Sequence, residues 1–357
     1  ETTTAPVAGG ILEDMPRLSG SCPALLLEPQ RTNLATYSEY FEGWIQISSN
    51  AISFNNNSIT SPEGVVNATL LSNISAFSQA RIRSSGLSVI SGDNLTLSVF
   101  AKKSTNGDSF VLRLSTSSYL SCEFNLTSLS FSGSGDWFDD AEIIPYGNDW
   151  YRCVVYATAT LNSSQSFELG ILSSNDIYLY GFQAEQDATY PTSYIPTYGT
   201  SQTRLADSSV DAGDASTFND SEGVLFFEGS ALANANTGAN FLSISGTDAT
   251  NDRISIGFVN QRLFVEIKRN NITEMVYTKI ADISQVAKLA IKYKENDCKF
   301  YINGVLEHSD TSVSLPSNLQ QLNFSKPSVF NFYGNTNQVL YFPTALSDDE
   351  CIELTTI

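Results

Sequence analysis

The sequence has 357 residues, of which 41% are hydrophobic and only 16% charged, and its formal net charge is −19. This length is enough for two or three domains that each bury a core. The acidic balance excludes a nucleic-acid-binding protein, because phosphate contacts need clustered Lys and Arg. No apolar run approaches the roughly 20 residues of a membrane span, and residues 1–4 lack the basic and apolar parts of a signal peptide. We therefore expect no nucleic-acid partner and no membrane insertion.

Apolar residues alternate or run together over short segments that end in Gly, Asn, Asp or Ser, which predicts many short strands. Closely spaced strands with polar turns indicate an all-β fold of antiparallel β-sandwich (jelly-roll) domains and not alternating βαβ units. Asn303-Gly304 directly follows one alternating segment and predicts a tight hairpin. The predicted strands are 95–101, 110–114, 150–156, 177–182, 254–259, 263–267 and 289–293. Trp150, inside one of them, is expected in the core.

One short helix is predicted at the end of the sequence. Ser347-Asp-Asp-Glu350 is a capping box, in which the Ser hydroxyl and the Glu carboxylate each satisfy a free amide. Cys351, Ile352 and Leu354 are expected to form its apolar face. Two turns are not stable alone, so this helix must pack on a sheet.

A domain boundary is expected near the middle of the sequence, where proline-rich residues 191–196 are followed by Gly, Ser and Thr. A new strand pattern begins at 223–228. Two sandwiches of ordinary domain size result. The predicted division is a lead-in at 1–27 whose Leu25–Leu27 could add an edge strand, a first domain at 28–197, a linker at 198–210 and a second domain at 211–357.

The cysteines are odd in number and scattered, without a CxxC pair, which argues against a disulfide framework and against zinc. Buried, reduced thiols are expected at Cys22, Cys122, Cys153, Cys298 and Cys351.

Catalytic residues are scarce. His308 is the single histidine, is expected in an exposed loop, and has no G-x-S-x-G nucleophile motif to serve. A glycosidase needs two carboxylates across one bond. Glu228 and Glu266 are the isolated candidates for such a pair, and the sequence favours a protein that is not an enzyme.

Several segments, taken in order, resemble head- and tail-fibre proteins of tailed phages. The first half resembles a carbohydrate-binding-module-like jelly roll, and the second half resembles a concanavalin A-like (laminin G-like) lectin domain. The segments that carry the resemblance are 22–34, 37–41 with Trp44, 147–153, 180–185 with 191–197, 288–294, 300–304 and 339–350. The resemblance implies a non-catalytic protein on the virion surface, outside the cell, with host-surface polysaccharide and other virion proteins as partners.

Such modules bind sugars through aromatic rings, with amides and carboxylates on the hydroxyls. Gly133-Ser-Gly135 is unfavourable inside a strand, so Trp137 and Phe138 are expected on an exposed turn beside Asp139. Tyr119 is a further exposed candidate. For Trp137 a core position stays open as the alternative.

A structural Ca²⁺ ion is the one cofactor considered, because carboxylate oxygens are its preferred ligands. The candidates are Asp136, Asp140 and Glu142, with Glu185 matching the position of a calcium ligand in carbohydrate-binding jelly rolls. A solvated acidic loop is the alternative. Gln183 and Glu185 either bond the backbone or approach a cation.

Two other interpretations stay open: a glycan-binding module secreted by a bacterium, and an architectural decoration protein that binds only virion proteins. A homo-oligomer such as a trimer is also open. The sequence specifies neither the glycan nor the position on the particle.

Overall fold

The computed structural model describes residues 17–19, 24–47, 50–234, 239–246, 250–326 and 330–357. The chain divides into two compact units. Unit 1 is Gln30–Leu205, and unit 2 is Ala206–Ile357 together with the described part of Asp14–Pro29. Unit 1 is therefore inserted into the sequence of unit 2.

Unit 2 starts with two short strands, β1 (Arg17–Ser19) and β2 (Ala24–Leu27), before the chain enters unit 1. The strands of unit 1 follow its alternating apolar residues, and a 3-10 helix at Phe41–Gly43 separates the first two. They are β3 (Arg31–Asn33), β4 (Ile45–Gln46), β5 (Ile52–Thr60), β6 (Val66–Asn73), β7 (Gln79–Val89), β8 (Asn94–Lys103), β9 (Ser109–Leu114), β10 (Ser121–Asn125), β11 (Ser130–Ser134), β12 (Phe138–Pro145), β13 (Tyr151–Thr158), β14 (Ser163–Leu172), β15 (Asp176–Gln186) and β16 (Gln202–Arg204).

Unit 1 is a sandwich of two antiparallel sheets. Sheet 1 has the order β11-β10-β9-β14-β7-β4, and sheet 2 has the order β12-β13-β8-β15-β6-β5. Side chains alternate between the two faces of a strand, so Leu97 and Val99 of sheet 2 meet Leu112 and Leu169 of sheet 1 in one buried core. Trp150 is buried, as predicted. The segment predicted as a linker contains β16, which pairs with β3.

The remaining strands of unit 2 form a second sandwich. They are β17 (Glu222–Ala231), β18 (Ala239–Ser245), β19 (Arg253–Val259), β20 (Arg262–Arg269), β21 (Ile272–Ile280), β22 (Ala287–Lys294), β23 (Cys298–Ile302), β24 (Val305–Asp310), β25 (Gln321–Asn323), β26 (Ser325–Lys326), β27 (Phe330–Asn331) and β28 (Gly334–Phe342).

Sheet 3 has the order β1-β2-β28-β17-β22-β23-β24, and sheet 4 has the order β21-β20-β19-β18-β25. Leu25–Leu27 therefore does form a strand near a sheet edge, and it pairs with β1 on one side and with β28, far along the sequence, on the other. The core between the sheets contains Phe227, Ile256 and Leu289. Both units are antiparallel, so the all-β prediction is confirmed.

The predicted hairpin and helix are both present. Asn303 and Gly304 join β23 to β24 with positive φ at both positions, as a type I′ turn requires. Helix α1 (Asp348–Thr355) begins at Ser347 with both capping-box hydrogen bonds. Its predicted apolar face is wrong in part.

Cys351 and Thr355 are the buried residues of α1, whereas Ile352 is exposed. Residues four apart lie on one face of a helix, and that face of α1 packs on Phe226 and Tyr301 on the outer side of sheet 3. Ile352 is one residue further round the helix and points away. None of the helices in the described part of the chain has the length and apolar character to cross a membrane.

The four described cysteines, Cys122, Cys153, Cys298 and Cys351, are buried free thiols. Burial raises the pKa of Cys298 and of Cys351 to about 11. Such thiols are poor nucleophiles. Cys22 lies outside the described residues.

Candidate functional site

The aromatic residues predicted on an exposed turn are packed into unit 1. Trp137 is 1% exposed, and its ring stacks on Tyr119 with centroids 4.5 Å apart and planes at 6°. Its backbone N–H donates to the Tyr119 carbonyl at 2.8 Å. Phe138 and Tyr119 are partly buried against the same core. The expected exposure of Trp137 is wrong, and its ring has no face open to a sugar.

The glycines before Trp137 explain this difference. Gly133 lies inside β11 opposite Cys122, and a Cβ there would sit 2.0 Å from the Phe138 ring. Gly135 has a φ of +109°, and its Cβ would meet the Tyr119 carbonyl oxygen at 2.4 Å. The glycines thus allow the aromatic rings to lie over the strand.

Asp139, predicted to contact a sugar, and Glu142, predicted to bind Ca²⁺, have separate partners. The Thr158 hydroxyl donates to Asp139 at 2.6 Å, and the Tyr156 hydroxyl donates to Glu142 at 3.1 Å. Asp136 and Asp140 are exposed. Across the described ranges, no three His, Cys, Asp or Glu side chains come close enough together to hold a metal ion.

Glu185 and Gln183 lie on β15 and are buried. The Thr192 N–H donates to Glu185 at 3.1 Å, and the Thr192 hydroxyl donates to the same carboxylate. The Ile195 N–H donates to Gln183 Oε1 at 2.7 Å. Of the two alternatives for this pair, the structure shows the hydrogen bonds to the neighbouring segment of the chain.

The candidate catalytic residues do not converge. His308 lies on β24 and stacks on Tyr277 with centroids 5.0 Å apart, so the expected loop position is wrong. Glu228 lies on the outer face of sheet 3 and accepts from Asn337. Glu266 lies on the outer face of sheet 4, where the Arg253 guanidinium donates to it at 2.6 and 2.9 Å. Two carboxylates on opposite outer faces cannot flank one glycosidic bond.

A buried carboxyl group that sequence reasoning missed lies in unit 1. Glu39 Oε1 accepts from the hydroxyls of Tyr194, Tyr180 and Tyr198 at 2.9, 3.2 and 3.4 Å. Burial raises the pKa of Glu39 to about 7; the tyrosine hydrogen bonds oppose the shift, and the charge of Glu63 adds to it. Glu39 and Tyr194 belong to segments that carried the family resemblance, and here both hold the fold together.

A polar depression lies where three turns of unit 1 meet, and we call it the loop depression. It is lined by Lys103–Asp108 between β8 and β9, by Thr127 between β10 and β11, and by Asn175 between β14 and β15. Its volume is about 390 Å³.

Hydrogen bonds between the turns fix the shape of the loop depression. The Ser104 hydroxyl donates to Asp176, and Asn175 Nδ2 donates to the Ser109 carbonyl at 3.0 Å. Gly107 packs so closely that a Cβ would lie 2.0 Å from Asn175 Oδ1. A ligand would therefore meet a surface that is already ordered, which lowers the entropic penalty of binding.

The lining of the loop depression offers both donors and acceptors. Hydrogen bonds from Ser109 and Thr127 hold the pKa of Asp108 below its ordinary value, so it is an ionised acceptor at neutral pH. Lys103, Thr105 and Asn106 are exposed. Sequence reasoning missed this site because its residues come from turns that the sandwich topology alone brings together.

No family model matches the sequence, and no curated protein matches it. Among solved structures, the chain is similar to the CBM40 domain of the Ruminococcus gnavus IT-sialidase, with 15% identity, 42% of this chain and 95% of that chain covered, and a TM-score of 0.34. It is similar to a SAP-like pentraxin from Limulus polyphemus, with 9% identity, 40% of this chain and 72% of that chain covered, and a TM-score of 0.34. It is also similar to sheep galectin-11, with 10% identity, 39% of this chain and 99% of that chain covered, and a TM-score of 0.28. Similarity at this level establishes neither a family nor a ligand.

Proposed function

We propose that the protein is a non-catalytic glycan-binding protein whose sugar site is the loop depression. The observation that carries the proposal is the ordered set of hydroxyl, amide, ammonium and carboxylate groups on three joined turns. Sugar hydroxyls both donate and accept, so they need such a mixed surface. The candidate acids for glycoside hydrolysis lie on opposite faces of unit 2, which favours binding without cleavage.

The setting we propose is the surface of a virion, with unit 1 presenting its site to host-surface polysaccharide. The sequence segments that resemble phage fibre proteins support this setting. The genes next to this one test it, because structural and assembly genes of a phage are expected there. Genes for polysaccharide-degrading enzymes would instead indicate a secreted bacterial module.

A glycan array probed with the full chain tests the binding itself. Thr105 and Asn106 are exposed and their side chains make no hydrogen bond within the described residues, so Thr105→Ala/Asn106→Ala is expected to keep the fold. We expect this variant to bind the best array glycan about tenfold more weakly, for the loss of one or two hydrogen bonds.

The matched control is Ser117→Ala/Ser118→Ala, which removes two exposed hydroxyls from another turn of unit 1. Equal binding by both variants would place the sugar site elsewhere. If the full chain binds nothing on the array, the architectural interpretation replaces this proposal.

A further inference from the structure

Three arginines surround one buried glutamate on the outer face of sheet 1, and we call this group the arginine face. Glu168 on β14 has a fully buried side chain. Arg81 Nη1 donates to Glu168 Oε2 at 3.1 Å, and Arg83 Nε donates to Oε1 at 2.8 Å. Arg113 Nε lies 3.2 Å from Oε2.

Strand register brings these four side chains together. Glu168 lies directly opposite Arg83 of β7 on one side and opposite Arg113 of β9 on the other. Arg81 is two residues from Arg83 along the same strand, so it shares the face. The next residue of β14, Leu169, points into the core. The sandwich therefore fixes the arginine face by its backbone pairing.

The arginine face carries more positive charge than its buried acid needs. One guanidinium is enough to neutralise Glu168, and in the described part of the chain no other acid forms a salt bridge with these arginines. Glu123 lies on the same face of β10, where it is exposed. Counting both acids, a net charge of +1 remains on this face in a protein whose formal charge is −19.

The guanidinium groups are also accessible. The side chains of Arg81, Arg83 and Arg113 are 29%, 33% and 13% exposed. Burial lowers the pKa of Arg113; the charge of Glu168 opposes this, and the charges of Arg81 and Arg83 add to it. The single carboxylate therefore leaves repulsion between the arginines, which a second anion would relieve.

The arginines also have N–H donors that Glu168 does not use and that a second anion could accept from. An arginine carries five N–H donors in a planar fork. Glu168 accepts from Nη1 of Arg81 and from Nε and Nη2 of Arg83, whereas Arg113 Nε donates to the Leu114 carbonyl and forms an ion pair with Glu168. Within the described residues, Nε and Nη2 of Arg81 and Nη1 of Arg83 make no hydrogen bond to this carboxylate. Planar forks of this kind pair with carboxylates through two parallel hydrogen bonds.

We propose that the arginine face binds the carboxylate of an acidic sugar residue, so that the glycan recognised is a uronate-containing polysaccharide. This inference rests on the proposed glycan-binding function and names the class of glycan. A densely charged polyanion such as nucleic acid would be repelled by the acidic remainder of the protein. A saccharide that carries one carboxylate per residue matches the small positive charge of the arginine face.

The test compares polygalacturonate with its methyl ester, which has the same sugar backbone but an uncharged, methylated carboxyl group. We expect the full chain to bind the acid form at least tenfold more tightly and to lose this preference as NaCl is raised. Dextran and dextran sulfate, added as a second pair, distinguish a carboxylate site from a sulfate site.

The variant is Arg81→Gln, because Glu168 Oε2 keeps its contact with Arg113 and we therefore expect the fold to be retained. The charge-matched control is Arg262→Gln, an exposed arginine of unit 2. We expect about tenfold weaker binding of polygalacturonate by Arg81→Gln alone. Should Arg81→Gln fail to fold, Glu123→Gln is expected to strengthen binding about two- to threefold.

Equal binding of the acid and the ester, or equal loss in both arginine variants, overturns this inference while glycan binding on the array still supports the proposed function. A preference for dextran sulfate without binding of polygalacturonate assigns the arginine face to sulfate and refutes the carboxylate. If no glycan of any kind binds, both proposals fail.

Discussion

Replacing Trp137 with Ala tests whether this residue is a core anchor, as the structure shows, or a sugar-stacking residue on a turn. The ring is 1% exposed, lies in the core of unit 1 and stacks on Tyr119. The change therefore opens a cavity beneath Tyr119. We expect a large loss of stability and no specific loss of glycan binding by protein that is still folded.

The magnitude follows from the buried area. A buried tryptophan removes about 200 Å² from water, which at about 25 cal/mol/Å² is worth roughly 5 kcal/mol. Trp137 Nε1 is buried without a hydrogen-bond partner in the described residues, and that unsatisfied donor lowers the benefit by about 1 kcal/mol. We expect a net loss of about 4 kcal/mol, inside the usual range for such substitutions. For a unit of this size the melting temperature should fall by about 10 °C.

Tryptophan fluorescence reports on unit 1 selectively, because Trp44, Trp137 and Trp150 are the chain's three tryptophans and all lie in Gln30–Leu205. Thermal unfolding followed by fluorescence thus measures the effect. Trp137→Phe keeps an aromatic ring and removes the unpartnered donor, so it should lose much less stability. A wild-type melting temperature in Trp137→Ala, with weakened glycan binding, would refute the core assignment.

Three further predictions concern pH, capping and the insertion of unit 1. The pKa of Glu39 is raised from 4.5 to about 7, so the folded state binds the proton more tightly and stability should fall by about 3 kcal/mol as pH rises from 4.5 to 7. Urea unfolding at pH 5 and pH 8 measures this loss of stability. We expect a smaller loss in Glu39→Gln and the wild-type loss in the control Asp136→Asn. The wild-type loss in Glu39→Gln would contradict the assignment. Ser347→Ala breaks the capping box and should destabilise unit 2 by about 1 kcal/mol in chemical unfolding, whereas a loss below the error of the measurement would show that packing alone holds α1. Replacing residues 30–205 with a short Gly-Ser linker should leave a unit 2 that folds cooperatively. Its melting temperature should be higher than that of residues 206–357 expressed alone, because the linker variant keeps β2 paired with β28. Equal melting temperatures would show that β2 adds no stability.

The features predicted correctly from the sequence depend on residues close together in the chain. The Asn303-Gly304 turn and the Ser347 capping box are decided by neighbouring residues, since backbone φ preference and a side chain three residues away suffice. The all-β class follows from alternation within single strands. Trp150 could be predicted as buried because it belongs to such an apolar segment, 150–156.

The features that the sequence did not reveal depend on strand pairing. The sequence near Trp137 predicts a turn. The pairing of β11 with β10, which no local pattern shows, brings Tyr119 against the Trp137 ring and buries it. Glu168 lies 85 and 87 residues from Arg83 and Arg81 in the chain, and no local pattern connects them. His308 follows the Asn303-Gly304 turn, which predicts a loop position, whereas the structure has β24 there. The turns of the loop depression are likewise adjacent only in the folded unit.

The position of β2 has a consequence for how the protein forms during synthesis. Chains fold domain by domain as they leave the ribosome. Unit 1 is contiguous in sequence, so it can complete its sandwich once residue 205 has emerged. Leu25–Leu27 pairs with β1 on one side and with Gly334–Thr336 on the other, and the second of these pairings must wait until residues 334–336 have been made. One edge of β2 therefore gains its partner late, and during that interval this edge of an apolar strand is open to chaperones or to a neighbouring nascent chain.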